Sequence, residues 1–264
     1  MNAVCFSVAA LDFFPGQHMY FAGGNALNQA IRFRKAGMES AFAGALGTDG
    51  AGDRIAGLLA SAGVDCSHLY RVEGETANNR IVNDEAGERY GVEGAWSDGV
   101  YGDFRMSEPD WTFLSGFSIW ATHANCPDYR EALLRKGAGR LMAVDFLHFS
   151  TYELLEVGQA AVDIAYFGGM PEQEPELRDL SRRFPGILVL TLGAGGSLAF
   201  RKGEVWRQEA LPPETVLDTT GCGDAFQAAF TLEYVRTGDP RKSLEAGARG
   251  GREALGHYGG VPWI

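Results

Sequence analysis

The chain has 264 residues, 45% hydrophobic and 22% charged, which is long enough to enclose one large core. Lys+Arg 23 against Asp+Glu 34 leaves a formal charge of −11, so phosphodiester backbones and anionic lipid surfaces are disfavoured as partners. No apolar run approaches the ~20 residues a membrane span needs, and Cys5, Cys66, Cys126 and Cys222 have neither zinc-ligand nor disulfide spacing.

The N-terminal stretch lacks a basic region and soon meets Asp12, so it does not read as a secretory leader; a reducing cytoplasm is the expected location. Val4–Ala10 reads as the first strand. Gly23-Gly24-Asn25-Ala26-Leu27-Asn28-Gln29-Ala30 opens a helix expected to reach about Ala36, and Ala41–Gly44 reads as a strand. In the helix predicted over Asp53–Ala62, residues Ile55, Leu58, Leu59 and Ala62 share one face, and Gly63 is the stop. From about Arg71 to Asp103 the chain turns polar and Gly-dotted. Period-two alternation at Asn79–Val82 and Glu88–Val92 predicts hairpin strands outside the main sheet, a lid over its edge. Strands follow at Phe117–Ala121, Leu141–Phe146, Ile164–Phe167, Ile187–Leu192 and Ser197–Phe200, then a helix over Asp224–Arg236 ended by Gly238-Asp239-Pro240. Apolar strands alternating with amphipathic helices predict an α/β fold, a parallel sheet covered on both faces. With no repeat and no linker, residues 1–264 read as a single domain.

The common nucleotide motifs are missing. The G-x-G pairs at Gly50, Gly137, Gly193 and Gly221 all lack the third glycine of the dinucleotide fingerprint, and without a Gly-Lys dipeptide there is no P-loop. Asp218-Thr219-Thr220-Gly221-Cys222-Gly223-Asp224-Ala225-Phe226 is the most informative segment. Its glycines directly precede a helix, whose first N–H groups are unpaired and sit at the positive end of the dipole, an anion site. Asp224 in the first turn has two readings on chemistry alone: a helix cap, or a base accepting a hydroxyl proton during phosphoryl transfer. Asn25 and Asn28 share a helix face, and their amides suit polyol hydroxyls or a simple cap. Asp12 reads as a hydroxyl ligand or a turn residue. The Gly-rich turn after Leu190-Thr191-Leu192, Gly193 to Gly196, stands at a strand's carboxyl end, where open α/β sheets bind ligands. His123, His148 and His257 have no partner spacing and read as structural.

In this order, and over nearly the whole chain, these segments resemble the ribokinase-like (PfkB) family of carbohydrate kinases. Gly23–Ala30 looks like its sugar-binding segment; Gly47-Thr48-Asp49 with Gly63-Val64-Asp65 looks like its G-x-D…GVD stretch. Asp218–Phe226 is similar to D-T-x-G-A-G-D-x-F, with Cys222 in place of Ala. The resemblance implies a three-layer α/β/α sandwich with a small β lid, drawn from segments near 12–21 and 71–105, and a homodimer formed through that lid. It implies ATP- and Mg²⁺-dependent phosphorylation of a sugar hydroxyl, with a monovalent cation possible. Carried over residue by residue, Asp224 is the general base, the backbone of Gly221, Cys222 and Gly223 forms the anion hole, and Asp218 braces that loop. Thr191, Gly193, Gly195, Gly196 and Gly223 border ATP, while Asp12, Gly23, Gly24, Asn25, Asn28 and Tyr90 bind the sugar. Phe21–Ala30, Gly63–His68, the piece around Tyr90–Phe104 and Trp206-Arg207-Gln208 are similar to the branch acting on O6 of fructosamines such as fructoselysine, whose cationic amino-acid part Glu93 would meet. Another sugar or a nucleoside is the alternative acceptor, and a non-catalytic binding protein of the same fold the alternative class. The chain departs from the family at Ser7-Val8, where Gly-(Asp/Glu) is usual, and at Gly168, where the Asn of N-x-x-E would stand. Metal contact then falls to Glu172 or Glu174, through water.

Overall fold

The computed structural model describes residues 1–148 and 152–262. Thirteen strands and eight helices follow one another in the order β1 (Asn2–Phe6), β2 (Ala10–Phe14), β3 (Met19–Gly23), α1 (Asn25–Lys35), β4 (Glu39–Gly47), α2 (Gly50–Ser61), β5 (Asp65–Val72), β6 (Asn78–Asn83), β7 (Arg89–Gly91), α3 (Glu108–Leu114), β8 (Ile119–His123), α4 (Tyr129–Arg135), β9 (Leu141–Asp145), α5 (Glu153–Gly158), β10 (Ile164–Gly168), α6 (Glu174–Leu180), β11 (Ile187–Thr191), β12 (Ser197–Arg201), β13 (Glu204–Gln208), α7 (Cys222–Thr237) and α8 (Pro240–Ala254).

Nine strands form the main sheet in the order β13-β12-β11-β10-β9-β8-β1-β4-β5. All pairings from β11 to β5 are parallel, and only β12 runs against its neighbours. The central strands are buried on both faces, which is why they read as continuous apolar runs. Val4 and Phe6 of β1 pack with Trp111, Leu114, Tyr129, Leu155 and Leu177 of α3 to α6. Ala3 and Cys5 point the other way, toward Leu27, Ile31, Ile55 and Leu59 of α1 and α2. On that second face Phe226 and Phe230 of α7 and Leu244 of α8 pack against β9 to β12. The result is three layers, helices on both sides of the sheet. Tyr166 of β10 ties α7 down, its hydroxyl 2.7 Å from Thr231 Oγ1 and donating to the Gln227 carbonyl at 3.2 Å. Helix α8 lies close against α7 through a bare face: a Cβ at Gly247 would strike the Phe226 ring, and one at Gly250 the Ala225 carbonyl.

A second sheet, β3-β2-β6-β7, stands apart. Its inner face carries Phe14, Phe21 and Ile81, packed with Tyr258 from the C-terminal segment. The strand expected over Val4–Ala10 is two strands: the chain leaves the main sheet after Phe6, and β2 begins at Ala10 in the lid. Because Val8, Ala9 and Ala10 are all buried, hydropathy does not mark that crossing. Arg71, expected in the lid, belongs to β5 at the main-sheet edge. Strands β5 and β13 and helices α3 to α6 and α8 were not individually expected, while β3 begins in the lid segment expected near 12–21. β5 and β13 are edge strands with no fully buried residue, and α8 carries a low-hydropathy, Gly-containing sequence. Among the described residues no helix is long and apolar enough to cross a membrane.

Candidate active site

The carboxyl ends of the parallel strands line one edge of the sheet, where β9 ends at Asp145 and β11 at Thr191. Helix α7 starts there. Gly221 is its N-cap, with φ 78, and a Cβ at Gly221 would come within 2.5 Å of Gly260 Cα, so both conformation and space exclude a side chain. Helix α1 starts beside it after Gly24, with φ 99, and brings both asparagines onto Asp224.

Asn25 Nδ2 donates to Asp224 Oδ1 at 2.8 Å, and Asn28 Nδ2 donates to Asp224 Oδ2 at 2.6 Å. Asn25 Nδ2 also reaches Asp145 Oδ2 at 3.1 Å, so one amide spans two carboxylates. Gln29 donates to Gln227 Oε1 at 2.8 Å, closing the polar cluster between α1 and α7. Burial is the main cause that pushes Asp224 up to about 6; the Asn28 hydrogen bond opposes it, the Asp145 charge adds to it, and Arg89 and Asn25 oppose it. Such a carboxylate is ionised at neutral pH yet basic enough to take a proton from a hydroxyl in a transition state. Asp145 is likewise raised by burial.

Above Asp224 the N–H groups of Gly221, Gly223 and Asp224 itself have no acceptor among the described residues, whereas the Cys222 N–H donates to the Thr219 carbonyl at 3.2 Å. The donors open to an anion are therefore the glycines and Asp224, not the expected Cys222. The Cys222 thiol is pushed up to about 12, chiefly by burial, and is no thiolate. Asp218 is fully buried and accepts from Thr220 N at 3.0 Å, Thr220 Oγ1 at 2.8 Å, Asn83 Nδ2 at 2.8 Å and Gly259 N at 2.8 Å. It binds the Thr219–Gly223 loop to the lid and to the C-terminal segment.

The lid descends onto the same loop. Arg89 N donates to Thr219 Oγ1 at 3.0 Å, which in turn donates to Glu88 Oε1 at 2.9 Å, and Thr219 N donates to the Gly87 carbonyl at 3.1 Å. Arg89 is paired across the hairpin with Asn83, whose side chain turns inward to Asp218. Directly opposed side chains share a face, so Arg89 faces the carboxylates, and its charge opposes the burial of Asp12, Asp145 and Asp224 alike. Tyr90, one residue on, takes the other face; it is 53% exposed, with its hydroxyl 3.4 Å from Asp84 of its own hairpin. The structure thus brings together Asp224, Asn25 and Asn28, and gives Tyr90 no contact with them.

Asp12 lies on the inner lid face against Gly23, where a Cβ would fall 2.9 Å from its Cγ. It is 7% exposed, accepts no hydrogen bond among the described residues, and is pushed up to about 6 by burial. Its lone pairs are open to a donor. Thr191 ends β11 with Oγ1 on the Phe167 carbonyl at 3.2 Å, and Gly193, Gly195 and Gly196 form the following turn, two strands from Asp145. Glu172 is exposed in the short turn after β10, and Glu174 is paired with Arg207. No group of three or more His, Cys, Asp or Glu side chains among the described residues could hold a metal ion.

Asp145, Gln227 and Arg89 had escaped the sequence reading. An Asp closing an otherwise apolar parallel strand was a usable sign for Asp145, and Gln227, three residues after Asp224, lies on its helix face. Arg89 had none, because its direction depends on hairpin register.

The profile described as pfkB family carbohydrate kinase matches residues 15–97 and 117–262. The chain is 33% identical over 226 residues to a fructoselysine 6-kinase of Escherichia coli, covering 83% of this chain and 84% of that protein. It is 26% identical over 268 residues to the fructosamine kinase FrlD of Bacillus subtilis, covering 98% and 92%. Among solved structures, Arabidopsis thaliana ribokinase complexed with ribose and ATP superposes with a TM-score of 0.79 at 22% identity, covering 99% and 95%. Adenosine kinase from Sinorhizobium meliloti superposes with a TM-score of 0.80 at 19% identity, covering 100% and 96%. The ribokinase-like architecture expected from the motifs is the one found. The chain belongs to the pfkB family of carbohydrate kinases and is an ATP-dependent sugar kinase.

Proposed function

We propose that the acceptor is a fructosamine such as fructoselysine, phosphorylated on O6 to give the 6-phosphate and ADP. The observation that carries the substrate is the 33% identity to a fructoselysine 6-kinase over 83% of the chain. Residues 1–264 act as one kinase unit in the cytoplasm, with the lid closing the acceptor side.

In this reading the sugar lies between the lid and α1, with Asp12, the Gly23-Gly24 backbone and the asparagines on its hydroxyls, and O6 directed at Asp224. Asp224 takes the O6 proton as oxygen attacks the γ-phosphorus in line. The N–H groups of Gly221, Gly223 and Asp224 hold the charge spreading over the transferred group, aided by the α7 dipole. ATP lies along the Thr191–Gly196 turn. Mg²⁺, arriving on the phosphates and reached by Glu172 through water, would neutralise phosphate charge. The −11 net charge makes no case for the amino-acid part; Glu93 is its candidate partner. A second copy of the chain covers the lid, whose segments expose Met19, Val82, Tyr90 and Trp96.

ADP release with Mg-ATP across fructoselysine, other fructosyl amino acids, fructose, ribose, 2-keto-3-deoxygluconate and adenosine tests the substrate. Strong turnover with fructosyl amino acids alone is expected. Preference for another sugar or for adenosine overturns the acceptor and keeps the mechanism; ATP binding with silence across the panel favours a binding protein. Sedimentation of wild type against Tyr90→Glu tests the second copy.

A further inference from the structure

Four separate parts of the site rest on one short piece of backbone far away in sequence. His257 Nε2 lies 3.2 Å from Arg32 Nη2, Tyr258 stacks on Phe21 of the lid with ring centres 6.0 Å apart, and Gly259 N donates to Asp218 at 2.8 Å. Gly260 then fills the gap between the two catalytic helices. A Cβ there would lie 2.5 Å from Asn28 Cγ, and the nearest atoms it would meet all belong to that amide. Its Cα is also what a Cβ on Gly221 would strike, at 2.5 Å. Asn28 is 2% exposed, its Oδ1 is buried without a hydrogen-bond partner, and its Nδ2 is committed to Asp224. Among the described residues the amide has no hydrogen-bond partner but Asp224, and the Gly260 backbone leaves no room for an added methyl beside it.

We propose that Gly260 is a positioning residue for catalysis: its bare backbone sets the Asn28 amide against Asp224 and at the same time seats the Gly221 turn. This rests on the reading of Asp224 as the base. An added methyl displaces the amide, and misplacement on the ångström scale costs about 100-fold in turnover. Losing the Asn28 hydrogen bond also removes a contact that favours the ionised form of Asp224, so the acid limb of the pH–rate profile moves to higher pH. The other groups acting on Asp224, namely Asp145 on β9, Arg89 on β7, Cys5 on β1 and Cys222 on α7, are unchanged by the substitution.

The experiment is a double-mutant cycle of Gly260→Ala with Asn28→Ala, assayed on the best sugar of the panel, with Gly256→Ala as control because a Cβ there meets only the Glu253 carbonyl at 3.6 Å. Gly260→Ala is expected to lower kcat about 100-fold with the acid limb raised and the KM for ATP unchanged. In the Asn28→Ala background, where the new methyl has room, it should change kcat by no more than about twofold. Equal losses in both backgrounds, or wild-type turnover and pH profile in Gly260→Ala, would overturn the proposal. Where Gly260→Ala alone does not fold, recovery of folding in the double variant supports it and continued misfolding overturns it. Asp224→Asn, run alongside, tests the base separately: full turnover there removes that reading, whatever the cycle gives.

Discussion

The body and the lid solve different problems with different materials. The body buries Phe, Leu and Val on both faces of a parallel sheet and sets Asp145, Asp224 and the α7 N-terminus at its edge on elements that packing holds rigid. The lid is a four-stranded sheet with a small apolar cluster, Phe14, Phe21 and Ile81 with Tyr258, and hydrogen bonds join it to the Asp218–Thr219 loop: Asn83 and Arg89 donate, and the Gly87 carbonyl accepts from Thr219 N. Small cores and solvent-reachable hydrogen bonds open at low cost. Phosphoryl transfer needs fixed geometry, and acceptor entry needs an element that moves. The body carries the first, and the second is what the proposed acceptor site would ask of the lid.

The largest expected effect tests the body. Asp224→Asn should lower kcat roughly 10²–10⁴-fold while ATP still binds, measured by single turnover and nucleotide titration; a loss confined to KM would transfer the proton chemistry elsewhere. Arg89→Ala tests whether the lid speaks to the base. The sugar KM should rise about tenfold, the equivalent of one charge-assisted contact. The acid limb should also move to higher pH, because the cation holding down Asp12, Asp145 and Asp224 is gone. In the wild type, kcat/KM should fall as pH drops through about 6, where Asp224 takes up its proton and ceases to be a base.

Asp12→Asn separates recognition from stability. Burial raises the Asp12 carboxyl to about 6 in the fold, above its value in the unfolded chain, so the wild type loses stability as pH rises from about 4 to about 6 and stays level above that. The amide variant escapes this loss. It should be roughly 2 kcal/mol more stable at pH 7.5, nearly equal to wild type at pH 4, and impaired in sugar KM; thermal melts at both pH values check it. Smallest of all, Tyr90→Phe should leave sugar KM and stability nearly unchanged, since the ring takes the outer lid face. A rise in KM would return Tyr90 to the acceptor site.

Legibility followed burial and local chemistry. The central strands were readable because burial on both faces writes an unbroken apolar run, and the α7 start because glycine, an orphaned helix terminus and Asp224 all lie within nine residues. The split of Val4–Ala10 into β1 and β2 was not, since the chain stays buried while changing sheets. Asn25 and Asn28 were recognised as one helix face, but their shared partner Asp224 lies 199 and 196 residues away. The inward turn of Arg89, and the outward turn of Tyr90, follow from a pairing register that no local pattern encodes.

The bare face between α8 and α7 bears on how such a kinase can be diversified. Gly247 and Gly250 let α8 press on the helix that carries Asp224, so a side chain there pushes on Phe226 or on the Ala225 carbonyl, within two residues of Asp224. Randomised libraries aimed at new acceptors should leave those two positions alone, and Arg89 with them because its charge bears on Asp224, and spend their variation on the inner lid face at Asn79, opposite Asp12.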